Sequence, residues 1–215
     1  MAVTSEVATA ESGSSVIQEV PVVARATGDP QVLGWLVFVV GSVCLGLQLV
    51  GYVPAAVLGA PLAIILGATA LGLLVSAIWA AYLGQTFVAG AFGGFAGFWI
   101  SYTALVLGLQ HNWFLIPAEA VPHTVIAFLI AWAVAIFLLT LATVRLPSVY
   151  TLDVALVDAA LVILVFANQN GSAGLTKLAG LVVFAFAAIG AYIWLSAAST
   201  SLGGPGYPLG RPMKH

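Results

Sequence analysis

Two carboxylates, Asp153 and Asp158, lie inside the apolar run Val149–Ala167. An acid in the middle of such a run costs about 2.5–3.5 kcal/mol in hydrocarbon even on lenient insertion scales. Each should therefore face a polar cavity, a partner group or a wet pathway. Their five-residue spacing turns them about 140° apart on a helix, so they do not form a joint carboxylate pair on one face. Asp158 is near the midpoint of the run and Asp153 nearer its end. Both are candidates for proton handling, Asp158 first; the alternative is a protonated acid bonded to a neighbouring helix. No Lys or Arg lies deep in another apolar run to pair with them.

Three further polar residues interrupt the apolar runs: Gln48, Thr86 and Asn168. Each reads as a helix cap or an interhelical hydrogen bond, or alternatively as a contact on a substrate pathway. His111 and His123 flank a loop and read as interfacial polar residues rather than a catalytic pair. The sequence holds no GxSxG, HExxH, P-loop or strand-borne GxGxxG, which argues against an enzyme. The single Cys44 lies in an apolar run, and no CxxC or His/Cys cluster suggests a metal or another cofactor.

The elements that must position these residues follow from composition. The chain is 62% hydrophobic and 6% charged, against about 25% charged in an ordinary soluble domain. With a net charge of −2 and no basic run, nucleic acid is not expected as a partner. From Leu33 onward there are six runs of roughly the 20 residues that a helix needs to cross a bilayer. They are Leu33–Val53, Ala56–Leu83, Thr86–Leu109, Val121–Val144, Val149–Ala167 and Thr176–Ala198. The reading is an all-α, polytopic membrane protein with six transmembrane helices spanning residues 29–200. Before it comes a polar N-terminal tail, 1–28, with no apolar signal-peptide core; it reads as a mobile tail, the alternative for part of it being a helix on the membrane surface. After it comes a Gly/Pro-rich, irregular tail, 201–215. Six spans put both termini on one side. Arg25, Arg145, Arg211 and Lys214 fall on that side and only Lys177 on the other, which orients the termini into the cytoplasm.

The stretch Gly84–Tyr102, GQTFVAGAFGGFAGFWISY, organises the rest. On a helix, Gly90, Gly94, Gly97 and Ser101 form one narrow stripe suited to close backbone approach in a membrane. Phe92, Phe95, Trp99 and Tyr102 form another, roughly 140° away. That aromatic stripe either lines a narrow passage or faces packing partners and lipid.

Four places together resemble the acetate uptake transporter family, the succinate–acetate permeases. Asp29–Trp35 reads DPQVLGW, where the family signature is NPAPLGL; Asp29, Pro30, Leu33 and Gly34 stand at its signature positions. Leu45–Pro54 ends the first span with a Gly-aromatic-x-Pro turn. The family pattern GNTFGLTAFTSYGSFW agrees with this chain at Gly84, Thr86, Phe87, Ala91, Phe92, Phe98 and Trp99. Ala179-Gly180, Tyr192 and Pro208-Leu209-Gly210 match near the end.

The resemblance implies a homo-hexamer in the cell membrane, with a pathway in each protomer for acetate or another short monocarboxylate. Succinate is a further candidate, and the substrate is expected to move with a proton. It also implies a hydrophobic waist, whose members fall by position on Phe38, Phe95 and Val157. This chain departs from the pattern in lacking a family Asn at Gly46 and family Glu residues at Ala80 and Ala197, and in carrying Asp158 beside the waist. The alternatives are a passive channel for a small neutral solute, or a non-transporting oligomeric membrane scaffold or sensor.

Overall fold

In a computed structural model, residues 27–214 are described, and among them the six apolar runs form six long helices. These are α1 (Gln31–Leu49), α2 (Gly59–Tyr82), α3 (Thr86–Gln110), α4 (Val121–Thr143), α5 (Ser148–Asn170) and α6 (Ala173–Ser201). All but the last two residues of the N-terminal tail, Arg25 included, lie outside the described residues.

The breaks between helices have local causes. Gly84, at φ +74°, makes the left-handed turn between α2 and α3, a conformation that glycine adopts without a Cβ penalty. Gly171, at φ +59°, does the same after α5, and the Ser172 hydroxyl then caps α6 by accepting from Leu175 N–H at 3.3 Å. Pro147 precedes α5, where a fixed φ and a missing N–H cost nothing.

Helix α1 packs along α6, α6 on α5 and α5 on α4, while α2 packs behind α3 and α1. Helix–helix association in lipid rests on close fit rather than on hydrophobic drive, and glycines supply that fit here. A methyl group at Gly34 would run into the Phe92 ring, and one at Gly41 would meet Thr69. Thr69 belongs to a π-helical turn, Ile65–Ala70, inside α2. At Gly180 the α6 backbone lies against Leu49 and Val50. The stripe on α3 behaves differently. Gly97 and Ser101 meet Trp132 of α4, whose Nε1–H donates to the Ser101 hydroxyl at 3.2 Å, but nothing among the described residues approaches a Cβ built on Gly90 or Gly94.

Helix α4 is the outermost, with Val134, Phe137, Leu138 and Leu141 all exposed, as lipid-facing residues would be. The C-terminal segment is irregular, as its Gly/Pro content implies, but it docks as a strap. Tyr207 N–H donates to Ser196 Oγ, Val149 N–H to the Leu209 carbonyl, and Met213 and Lys214 N–H to the Val144 carbonyl. The strap thereby ties the corner between α4 and α5 to the end of α6.

Candidate functional site

The aromatic stripe of α3 faces inward. Phe92, Phe95 and Trp99 are buried and Tyr102 half-buried, and all four border internal cavities. The central cavity, of about 40 Å³, is bordered by α1, α3, α4, α5 and α6, and apart from Trp99 and Tyr102 its lining side chains carry no polar atom. Phe38, Phe95 and Val157 come together on it, with Phe186 beside Phe38. The Phe38 and Phe95 rings meet edge-on with centroids 5.1 Å apart, and Phe38 lies 5.7 Å from Phe186.

A second cavity, of about 60 Å³, lies towards the start of α1 and α5, bordered by Gln31, Trp35, Phe92, Thr143, Tyr150 and Val154. Phe95 is the one residue that borders both, so its ring is a wall between them. A third, of about 130 Å³, lies towards the other end of the bundle among Leu49, Leu109, Val125 and Asn168. It shares Tyr102, Phe128, Leu129 and Leu164 with the central one. The three thus follow one another from the first residue of α1 to its last, about 27 Å by helix rise. An open groove beside Phe87 and Leu146 adjoins the second cavity and holds Arg145; among the described residues, no charged side chain borders the three inner cavities.

Other residues singled out by sequence sit as follows. Gln48 Oε1 accepts from the Tyr102 hydroxyl at 3.1 Å, and its buried Nε2 has no partner among the described residues. Asn168 borders the third cavity but donates its amide to the Leu164 carbonyl of its own helix at 2.8 Å. Thr86 is exposed at the start of α3 and borders none of these cavities. In the signature segment, Asp29 accepts from Gln31 N–H at 2.9 Å and the buried Pro30 carbonyl accepts from Ser76 Oγ at 2.6 Å. Together with Gly34 against Phe92, and Leu33 half-buried on the same turn, this segment fastens the start of α1 to α2 and α3. His111 stacks on Trp113 in an exposed turn after α3, and His123 is exposed in the first turn of α4.

The two acids part company. Asp158 is partly exposed and is absent from the cavity walls, although its Oδ1 is buried without a partner among the described residues. Asp153 is wholly buried, and neither of its oxygens has a partner among the described residues. Asp153, Val157, Ala160 and Leu164 follow the i, i+4, i+7, i+11 rhythm of one helix face, and the last three border the central cavity. Asp153 is therefore in register with that face one turn earlier, but like Asp158 it borders none of the three cavities; Tyr150 and Val154 line the second cavity at that level.

Sequence reasoning passed over Gln31 and Tyr150. The Tyr150 hydroxyl donates to Gln31 Oε1 at 3.0 Å, and Trp35 Nε1–H donates to the same oxygen at 3.4 Å. A signal existed for Tyr150, which stands seven residues before Val157 and so on its face.

The sequence profile of the GPR1/FUN34/yaaH family matches residues 12–202. The chain belongs to this family, the acetate uptake transporters that its signature segments resemble. The fold is similar to that of the solved bacterial acetate channel SatP, with a TM-score of 0.76 and 21% sequence identity over 86% of this chain and all of that one. No curated protein matches the sequence. Membership places the chain among multi-pass membrane transport proteins rather than enzymes.

Proposed function

We propose that the protein carries acetate, or another short monocarboxylate, across the cytoplasmic membrane together with a proton. The pathway runs through each protomer along the three cavities, with Phe38, Phe95 and Val157 as its hydrophobic waist. The observation that carries this reading is the succession of cavities through the core, interrupted at the Phe95 ring.

Energetics favour co-transport of the proton. Holding an unpaired carboxylate in an apolar wall costs several kcal/mol. Protonating a simple carboxylic acid at pH 7 costs about 1.4 kcal/mol per unit above its pKa, hence about 4 kcal/mol. With no cation among the described residues on the walls to offset desolvation, the neutral acid is the cheaper species at the waist. The methyl group of acetate passes such a wall at no cost, which suits the cavity to monocarboxylates; succinate, with a second carboxylate, would meet the desolvation cost twice. Asp153, at the edge of the waist, and Asp158 beside it are the groups that would exchange the proton. Termini in the cytoplasm would place the Gln31 end, with Arg145 in its mouth, on the cytoplasmic side. Gly90 and Gly94, open on the outside of α3, would face a neighbour in a homo-hexamer.

Labelled acetate uptake into proteoliposomes tests the reading, with protein-free vesicles as control because acetic acid crosses lipid unaided. Saturable uptake that rises with an inward proton gradient is the expected result. A second reading, a passive channel for a neutral solute, draws on the uncharged walls; it predicts solute flux indifferent to the pH gradient.

A further inference from the structure

We infer that two tyrosine-held glutamines, Gln31 and Gln48, are the docking points for the substrate carboxylate on either side of the waist. This rests on the transport reading above. Gln31 is the first residue of α1 and Gln48 its penultimate one. At both, the side-chain carbonyl is occupied: Gln31 Oε1 by the Tyr150 hydroxyl and Trp35 Nε1–H, Gln48 Oε1 by the Tyr102 hydroxyl. An amide whose oxygen is held this way turns its NH₂ outward as a donor; both lone pairs of Gln31 Oε1 are taken, while Gln48 Oε1 keeps one. Gln31 borders the second cavity, and Tyr102 borders both the central and third cavities. At the Gln48 end the donors lack acceptors, since neither Gln48 Nε2 nor Trp99 Nε1 has a partner among the described residues. Trp99 is 1% exposed and borders the central cavity.

Buried donors without acceptors mark a place for a ligand that only accepts, and a carboxylate is such a ligand. Neutral amides also suit passage. They hold the anion through hydrogen bonds that an Arg or Lys would make too strong for release, and conduction needs binding that is favourable yet weak. The ionised substrate docks at one glutamine, takes a proton, crosses the apolar waist as the acid, and gives the proton up at the other. No bond other than O–H is made or broken.

Three substitutions test this by acetate flux against concentration. Gln48→Met and Gln31→Met keep the length of the side chain but remove the donor. Each should raise the half-saturating acetate concentration about tenfold, the size expected for one hydrogen bond to a charged group, with maximal flux little changed. Tyr102→Phe frees the Gln48 carbonyl without touching its donor and should give a smaller rise in half-saturation; it also serves if Gln48→Met does not assemble. Unchanged half-saturation in all the variants that assemble, with wild-type flux intact, would overturn the docking sites and leave the transport reading standing. Wild-type flux no greater than in empty vesicles would instead overturn the transport reading, and the docking sites with it.

Discussion

If the proposed proton-linked pathway exists, replacing Phe95 with alanine should make it leakier and less pH-sensitive. The Phe95 ring is 4% exposed, packs edge-on against Phe38 and separates cavities of about 40 and 60 Å³. Removing it joins them into one chamber larger than both together. A cavity needs roughly 10–15 Å³ of probe-occupied volume to hold one water, so the joined chamber would admit several side by side. A hydrated carboxylate could then pass without first taking a proton. In the wild type, protein-dependent flux at fixed total acetate should fall about tenfold per pH unit above the substrate's pKa, because only the acid crosses. In Phe95→Ala the slope should flatten and flux above pH 7 should rise by about an order of magnitude. Truncating a buried Phe costs about 3–5 kcal/mol. The low end applies here, because the ring already borders empty space on two sides. The variant should therefore still assemble, at a lower Tm. The assay is labelled acetate uptake over a pH series, equal inside and out, with empty-vesicle rates subtracted. An unchanged slope and rate in an assembled Phe95→Ala protein would refute the waist.

Other substitutions probe the frame. Asp153→Asn and Asp158→Asn should each reduce the response of uptake to an imposed proton gradient, and an untouched response in both would remove them from proton handling. Asp153→Leu replaces a buried acid without partners by an apolar group, so it should leave Tm equal or higher even as coupling is lost, since removing an unsatisfied polar group is neutral or stabilising. Gly34→Val should destabilise by at least about 1–3 kcal/mol, because any Cβ at this position meets the Phe92 ring; a Tm equal to wild type would show that the contact is soft. Ending the chain after Gly204 removes the strap that holds Val144, Val149 and Ser196. It should lower Tm and raise background flux through the end bordered by Leu146 and Tyr150.

Much of this architecture is legible in the residues. Run length alone gives six spans whose ends lie within about four residues of the observed helices, and the aromatic stripe of α3 is visible from spacing. Which stripe faces inward is not, because lipid and core are both apolar and a helix that is hydrophobic all round carries no moment to orient it. The acids illustrate this. Depth in the run favours Asp158, but packing turns Asp153 inward, and only its register with Val157, Ala160 and Leu164 hints at that. The Gln31–Tyr150 contact joins residues 119 positions apart and depends on how α1 leans on α5, which no local pattern encodes. Resemblance supplied what periodicity could not: that Phe38, Phe95 and Val157 belong together, as they do on the central cavity.

The central claim, that a carboxylate travels through the core of each protomer, is tested most directly by filling the waist from within. Val157→Phe adds a ring to the wall of the central cavity, while Leu152→Phe adds the same ring to an exposed position on the same helix. With both variants assembled in proteoliposomes, the account predicts that acetate flux is abolished in Val157→Phe and unchanged in Leu152→Phe. Equal flux in the two would contradict it, because the substrate would then be passing somewhere else.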